Sequence, residues 1–239
     1  METPERIGQQ RIVGGNLALD LMNTQNGPAG GQPEDDVLHG YGDFVAWGRH
    51  IGMLGDPEAE RLLRSSRRHP DAARATFDRA VATRAYLYEL FDAVARGGPP
   101  PERTTARLQR DEAEALTHAE LVAVDGGFAW SWAHDGDLAR PLWPVIHAAS
   151  TLLIDGPLDR VKGCAACRFH FLDESKNRSR RWCSMDDCGT ADKMRKYVAR
   201  RASARSAGHP RADPSRMVMP RAALGRPGEG AGKGGSERT

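Results

Sequence analysis

Over the first 160 positions apolar residues recur at helical spacing in separate runs punctuated by glycine and proline, a pattern that predicts a mainly helical domain. After Asp43 the spacing of Phe44, Val45, Trp47, Ile51 and Leu54 marks one face of an amphipathic helix, with Asp43 or a neighbour as N-cap and Gly55 at its end. Residues 57–66 allow another short helix. Pro70 opens a long one over residues 72–95, on which Phe77, Val81, Tyr88, Phe91 and Val94 recur at roughly helical intervals. Its arginines are assigned to a solvated face, and Gly97-Gly98-Pro99-Pro100-Pro101 stops it. Residues 102–117 read as a fourth helix, poor in large apolar side chains.

A β-hairpin then follows from residues 121–124 and 128–132 flanking Asp125-Gly126-Gly127. Phe128, Trp130 and Trp132 alternate along its second strand, and burial against helices is the commoner fate of such a face, ahead of stacking on bases or a ligand. Residues 142–154 form an apolar helix with Pro144 in its first turn and His147 as a core histidine; Asp155-Gly156-Pro157 is the hinge that follows. Near the start, Leu17, Leu19 and Leu21 suit a strand, while Leu17, Leu21 and Thr24 suit a helix, so that segment stays open. Asp20, Asn23 and Thr24 there form a candidate ligand-binding cluster, set against the commoner use of such residues to cap or turn the backbone.

Composition fits a globular body: 239 residues with 39% hydrophobic suffice to bury a core. From about residue 205 the chain turns to Gly, Pro, Ser, Arg and Ala and is expected to be disordered. The first residues carry acid and a proline without a following apolar stretch, so no signal peptide is expected; no apolar run approaches the ~18 residues of a membrane span. The net charge of +2 conceals an asymmetry. Residues 160–205 hold 13 Lys+Arg against 5 Asp+Glu, whereas residues 1–159 hold 15 against 24. A basic module on an acidic body suggests a polyanionic partner.

All four cysteines fall in that basic module. Cys164-Ala165-Ala166-Cys167 precedes a loop of fifteen residues, then Cys183 and Cys188 enclose four more. Two close pairs separated by such a loop match a tetrahedral Zn2+ site with Zn–S near ~2.3 Å, and four sulfurs leave no open position for catalysis. An iron–sulfur cluster ranks second and two disulfides third, the latter because nothing suggests export. Thiols available for metal point to a reducing, cytoplasmic setting. Phe169, Phe171 and Trp182 can cover the metal in place of a core. From Ala191 a helix is predicted with Met194 and Val198 packed inward and Lys193, Lys196 and Arg200 outside.

The runs Cys164-x-x-Cys167, Phe169-x-Phe171-x-Asp173-x-Ser175, residues 177–185 (NRSRRWCSM), Cys188-Gly189 and Lys193-x-Arg195-x-Tyr197 resemble the CGNR zinc-finger proteins. Leu19-Asp20-Leu21-Met22-Asn23-Thr24 resembles the opening of the ABATE domain that precedes that finger, and the likeness extends over roughly residues 11–202. One departure is Thr190-Ala191, where the family name calls for Asn-Arg. The resemblance implies a stress-induced transcription regulator whose finger binds DNA.

The sequence therefore leads to an α+β, mainly helical domain over residues 11–157 with a small hairpin, a four-cysteine zinc finger over 158–205 and a disordered tail over 206–239. The function expected is a DNA-binding transcription regulator. Cys164, Cys167, Cys183 and Cys188 bind zinc, while Arg178, Arg180, Arg181, Lys193, Lys196 and Arg200 contact phosphates, giving a salt slope on the order of five in log units. The helical body dimerises or senses a small-molecule effector. The alternative is a small-ligand-binding or protein-interaction protein whose finger is only a structural clamp. Catalysis is not expected: there is no nucleophile elbow, P-loop or dinucleotide fingerprint, and His39, His50, His69, His118 and His134 show no mutual ligand spacing.

Overall fold

The computed structural model describes residues 4–132 and 137–207, with side chains described to residue 203. His134 and the tail from residue 208 lie outside the described residues. In chain order the elements are α1 (Glu5–Gly8), α2 (Leu17–Met22), β1 (Gln25–Asn26), β2 (Asp35–Asp36), α3 (Tyr41–His50), α4 (Asp56–Arg68), α5 (Pro70–Ala95) and α6 (Glu102–Thr117). There follow β3 (Glu120–Val124), β4 (Gly127–Ser131), α7 (Trp143–Asp155), β5 (Val161–Gly163), β6 (His170–Leu172) and α8 (Thr190–Ala207). The strands form three separate antiparallel pairs, β1–β2, β3–β4 and β5–β6. The architecture is the mainly helical α+β fold expected.

The segment left open near the start is the short helix α2. Asn16 caps it, its Oδ1 accepting from Ala18 N at 2.9 Å while its Nδ2 donates to the Ala148 carbonyl of α7 at 3.2 Å. Residues 18–22 are all buried, so α2 is apolar on every side except where Asp20 sits, and neither a two-residue nor a 3.6-residue period stands out. It lies at the centre of the core, packed on α5 and α7 among Phe44, Trp47, Leu87, Phe91, Trp143 and Ile146.

Two local expectations are corrected. Helix α3 starts at Tyr41 with Gly40 as N-cap, and Asp43 lies inside its first turn, accepting from His39 N at 2.8 Å and pairing with Arg6. On α5 the buried face is Ala80, Thr83, Arg84, Leu87, Leu90 and Phe91, so the arginines do not all face solvent. Arg84 is 2% exposed; its Nη1 donates to Thr24 Oγ1 at 2.7 Å and to Asp36 Oδ1 at 2.8 Å, and its Nη2 meets Asp36 Oδ2 at 2.5 Å. A buried guanidinium with a bidentate carboxylate partner satisfies the rule that deep charges are paired.

In the hairpin Leu121 pairs with Trp130 and Ala123 with Phe128. Trp132, just beyond it, is buried and donates Nε1–H to the Ala115 carbonyl at 2.8 Å, but Phe128 and Trp130 are 72% and 44% exposed, so only the last of the three aromatics joins the helices. His147 is half-buried, its Nδ1 at 2.7 Å from Glu112 Oε1.

The described chain through Lys196 forms one compact unit, which includes the four cysteines; a second begins at Tyr197. Within the second, Arg201 Nη1 donates to Tyr197 Oη at 3.0 Å. Met194 and Val198, expected inside, are both exposed. Basic and apolar residues are mixed around α8 rather than separated into faces, so it offers no stripe for packing.

Candidate metal centre

Cys164 directly follows β5, and its N–H donates to the Phe169 carbonyl at 2.8 Å, which closes the Cys-x-x-Cys turn leading into β6. The returning loop is tied beside it by Ala165 N donating to the Arg181 carbonyl at 2.9 Å. Cys183 and Cys188 are spaced by a single π-helical turn, Met185–Gly189, whose N-cap Ser184 accepts from Asp187 N at 3.4 Å. That wide turn takes up the two additional residues of the second pair.

All four Sγ atoms lie within 4.8 Å of one another, with Cys167–Cys183 at 3.6 Å and Cys183–Cys188 at 3.7 Å. Zn–S bonds of ~2.3 Å in a tetrahedron put sulfurs ~3.8 Å apart, so the cluster fits one four-coordinate ion. The cysteines are free, which removes the disulfide alternative. The electrostatics agree. Hydrogen bonds from the thiols of Cys167 and Cys183, and from the N–H groups of Cys183 and Ala166, pull Cys164 far down as a thiolate. Cys167 is pushed up to about 12 by its bond to Cys164, Cys183 is raised by Cys164 and Cys167, and Cys188 is raised chiefly by burial. Crowded thiols keep their protons unless a cation takes their place.

Around the sulfurs, Phe171 is fully buried, with Val13, Phe169 and Trp182 packed on the same small cluster. Asp173 organises the loop: its Oδ2 accepts from Lys162 Nζ at 2.6 Å and Arg180 N at 3.0 Å, and its Oδ1 from Ser175 N at 3.0 Å. Burial opposes its charge, yet those donors hold its carboxyl below the usual range. The Asp-x-Ser spacing thus encodes an Asx turn.

The finger is joined to the helical body by the chain's first thirty residues. Asn23 Nδ2 donates to the His170 carbonyl at 2.8 Å and His170 N donates back to Asn23 Oδ1 at 2.9 Å, as a backbone strand would pair. Leu172 N donates to the Gly14 carbonyl at 2.9 Å and Arg168 N to the Gly27 carbonyl at 3.0 Å, while Pro28 bridges Cys167. Asp20 holds the backbone at Gly14, accepting from Gly14 N at 2.8 Å, and burial raises its carboxyl against that bond. A Cβ at Gly14 would lie 2.9 Å from the Asp20 nitrogen, so the close approach requires glycine. Thr24 donates to the Leu21 carbonyl at 2.7 Å and accepts from Arg84. Asp20, Asn23 and Thr24 are therefore buried and engaged by the chain itself.

The basic residues divide. Arg178, at φ +50°, is exposed and pairs with Asp159; Arg181 is exposed, 5.2 Å from the Trp182 ring; Lys193 is exposed; Lys196 reaches Asp192 at 2.7 Å. Arg180 is built into the finger, lying 4.3 Å over the Phe171 ring with Nε donating to the Trp182 carbonyl at 3.0 Å and Nη2 to that of Cys183. Arg200 is exposed in the second unit. Arg11 braces the second cysteine pair, its Nε at 2.8 Å from Asp187 Oδ2 and Nη1 donating to Ser184 Oγ at 3.0 Å. It gave no sequence signal, because its partners lie more than 170 residues away. Thr190, at the departure from the family name, donates to the Met185 carbonyl at 3.0 Å and so closes the π turn.

Two sequence profiles match. The profile named ABATE, described as "Putative stress-induced transcription regulator", covers residues 15–156, and that of the CGNR zinc finger covers residues 160–201. No curated protein matches the chain. Among the described residues no helix is long and apolar enough to cross a membrane.

Proposed function

The chain belongs to the ABATE family and carries a CGNR zinc finger, and from that membership we propose a DNA-binding transcription regulator that catalyses no reaction itself. Cys164, Cys167, Cys183 and Cys188 would hold the zinc, which supplies fixed geometry and, with four sulfur ligands, no reactive position. Arg178, Arg181, Lys193 and Lys196 would contact phosphate, while Arg180 holds the finger together. The observation that carries this reading is the placement of exposed basic side chains on the loop and first helical turns adjoining the four thiols. The contrast in charge between residues 160–205 and residues 1–159 supports it, since a polyanion would be drawn to the basic side chains and repelled by the acidic ones. A cytoplasmic setting keeps the thiols reduced.

Four phosphate contacts give a slope of about −3.6 in log affinity against log salt, so a fourfold rise in salt should weaken binding about a hundredfold. Fluorescence anisotropy with labelled duplex DNA at two salt concentrations measures this. Absence of binding at low salt, or binding indifferent to salt, would refute it. A second reading, in which the finger clamps a protein-interaction module, rests on the exposure of Phe128 and Trp130 on the hairpin. Loss of a partner protein by Trp130→Ser, with DNA absent, would favour it.

A further inference from the structure

The β3–β4 hairpin is hardly covered by the rest of the chain: along its two strands only Val122 and Ser131 are half-buried, and the other residues are exposed. The register sets Leu121 opposite Trp130 and Ala123 opposite Phe128, and side chains alternate between faces along a strand. Those four therefore share one face, while Glu120 and Val124 lie on the other. The shared face carries no charge, and Leu121, Trp130 and Phe128 on it are 59%, 44% and 72% exposed. No third strand adjoins β3 or β4 among the described residues. A two-stranded hairpin with an open apolar face is marginal in water and needs a surface to pack on.

The pattern on that face is complementary to itself. Two copies packed face to face about a two-fold axis lying across the strands run antiparallel, so position 121 of one meets position 123 of the other, and position 130 meets position 128. Leu121 then faces the second copy's Ala123, large against small, and Trp130 faces the second copy's Phe128 as an aromatic pair; the axis repeats both matches. Asp125, in the turn, lies three residues beyond the axis at Val122, so at ~3.3 Å per residue the two copies of this carboxylate stand ~20 Å apart, beyond two Debye lengths at physiological salt. Glu120 is on the outer side. Pairing edge to edge would leave the apolar face in water, whereas pairing face to face covers it.

The area suits a small dimer. At about 150–250 Å² for a whole aromatic side chain, Phe128 and Trp130 leave roughly 250 Å² in water, and Leu121 brings the face to about 350 Å². With the usual apolar share of about 57%, the contact would cover about 600 Å² per copy and about 1,200 Å² in all, the lower bound for specific association. We propose that two copies of this chain associate through the hairpin face, Trp130 and Phe128 of each closing on Phe128 and Trp130 of the other. The proposal goes beyond both functional readings, since the contact uses neither zinc nor DNA.

Sedimentation velocity of the zinc-loaded full chain over about 1–200 μM should show single chains giving way to pairs, with a dissociation constant on the order of 10 μM. Because the face is uncharged, added salt should not weaken the pairs, which separates this contact from one with DNA. Phe128→Lys should weaken pairing by about tenfold or more, since each pair would bury two ammonium groups against Trp130. Its urea midpoint under dilute conditions should match that of the unaltered chain, because Phe128 is largely exposed. Trp130→Glu should weaken pairing likewise. Mixing the two variants should restore it, as the ammonium introduced at position 128 meets the carboxylate introduced at position 130 while the other Trp130–Phe128 contact stays intact. Ala123→Asp, at an exposed position of β3, gives a further check should Trp130→Glu fail to fold: it should weaken pairing as Phe128→Lys does. An unaltered chain that stays single at the highest concentration, pairing indifferent to Phe128→Lys, or folded variants that pair no better mixed than apart would overturn the proposal. So would a single chain that holds a different protein through Trp130.

Discussion

Replacing Asn23 by alanine tests how the finger is attached. The side chain is 1% exposed and makes two hydrogen bonds, both to the backbone of His170, at 2.8 and 2.9 Å. Alanine leaves that N–H and C=O buried between α2 and β6 without partners and with no room gained for bulk water. Each orphaned group costs about 1–3 kcal/mol, so the pair should cost about 2–5 kcal/mol, a large part of the ~5–15 kcal/mol that holds a typical domain. A value of about 3 kcal/mol raises the unfolded fraction about a hundredfold. Urea unfolding of the zinc-loaded protein, followed by tryptophan fluorescence, should show a lower midpoint with an unchanged slope, and amide exchange at His170 should quicken. Gln109→Ala, at an exposed position of α6, is the control and should stay within about 0.5 kcal/mol. If Asn23→Ala matched that control, the clasp would not be what joins finger to body.

Arg84→Met should cost about 2–4 kcal/mol in the same assay, because it strips Asp36 and Thr24 of their buried partner. Burial works against the Asp36 charge, but Arg84 outweighs it and holds the carboxyl below its ordinary value, so this contribution is present above about pH 4 and is lost as the pH falls further; acid unfolding of Arg84→Met should lack that component. Gly14→Ala should cost about 1–3 kcal/mol through the forced parting of residue 14 from Asp20, measured by thermal unfolding. Arg181→Ala and Lys193→Ala should each reduce the salt slope of DNA binding by about one unit with zinc content unchanged, whereas Arg180→Ala should lower zinc retention.

The helices and the hairpin were legible because they follow local rules: proline at the entry to α5, Gly-Pro punctuation after it, Asp-Gly at the β3–β4 turn. The thiol cluster was legible from spacing alone. What escaped were features set by partners distant in sequence. Arg84 looked like its solvent-facing neighbours until β2 brought Asp36 to it, and for Asp20, Asn23 and Thr24 the sequence offered a ligand-binding cluster beside the commoner backbone role without showing which backbone groups, among them those of Gly14 and His170, they would meet. Their signal was available in principle, since polar residues inside the apolar run of residues 17–22 and just after it must pair with backbone if that run is buried. The two-residue strands β1 and β2 and the three-residue β5 and β6 are too short to show a period. Met194 and Val198 misled because a four-residue spacing suggests a face only where other apolar residues extend it.

The central claim is that one ion held by four sulfurs shapes the basic module. X-ray absorption at the zinc edge of the purified protein, with metal and protein quantified on the same sample, tests it most directly. The structure predicts one zinc per chain and a first shell of four sulfurs near ~2.3 Å. Nitrogen or oxygen ligands in that shell, a Cys164→Ser variant that retains zinc at full stoichiometry, or well-folded protein without metal would contradict it.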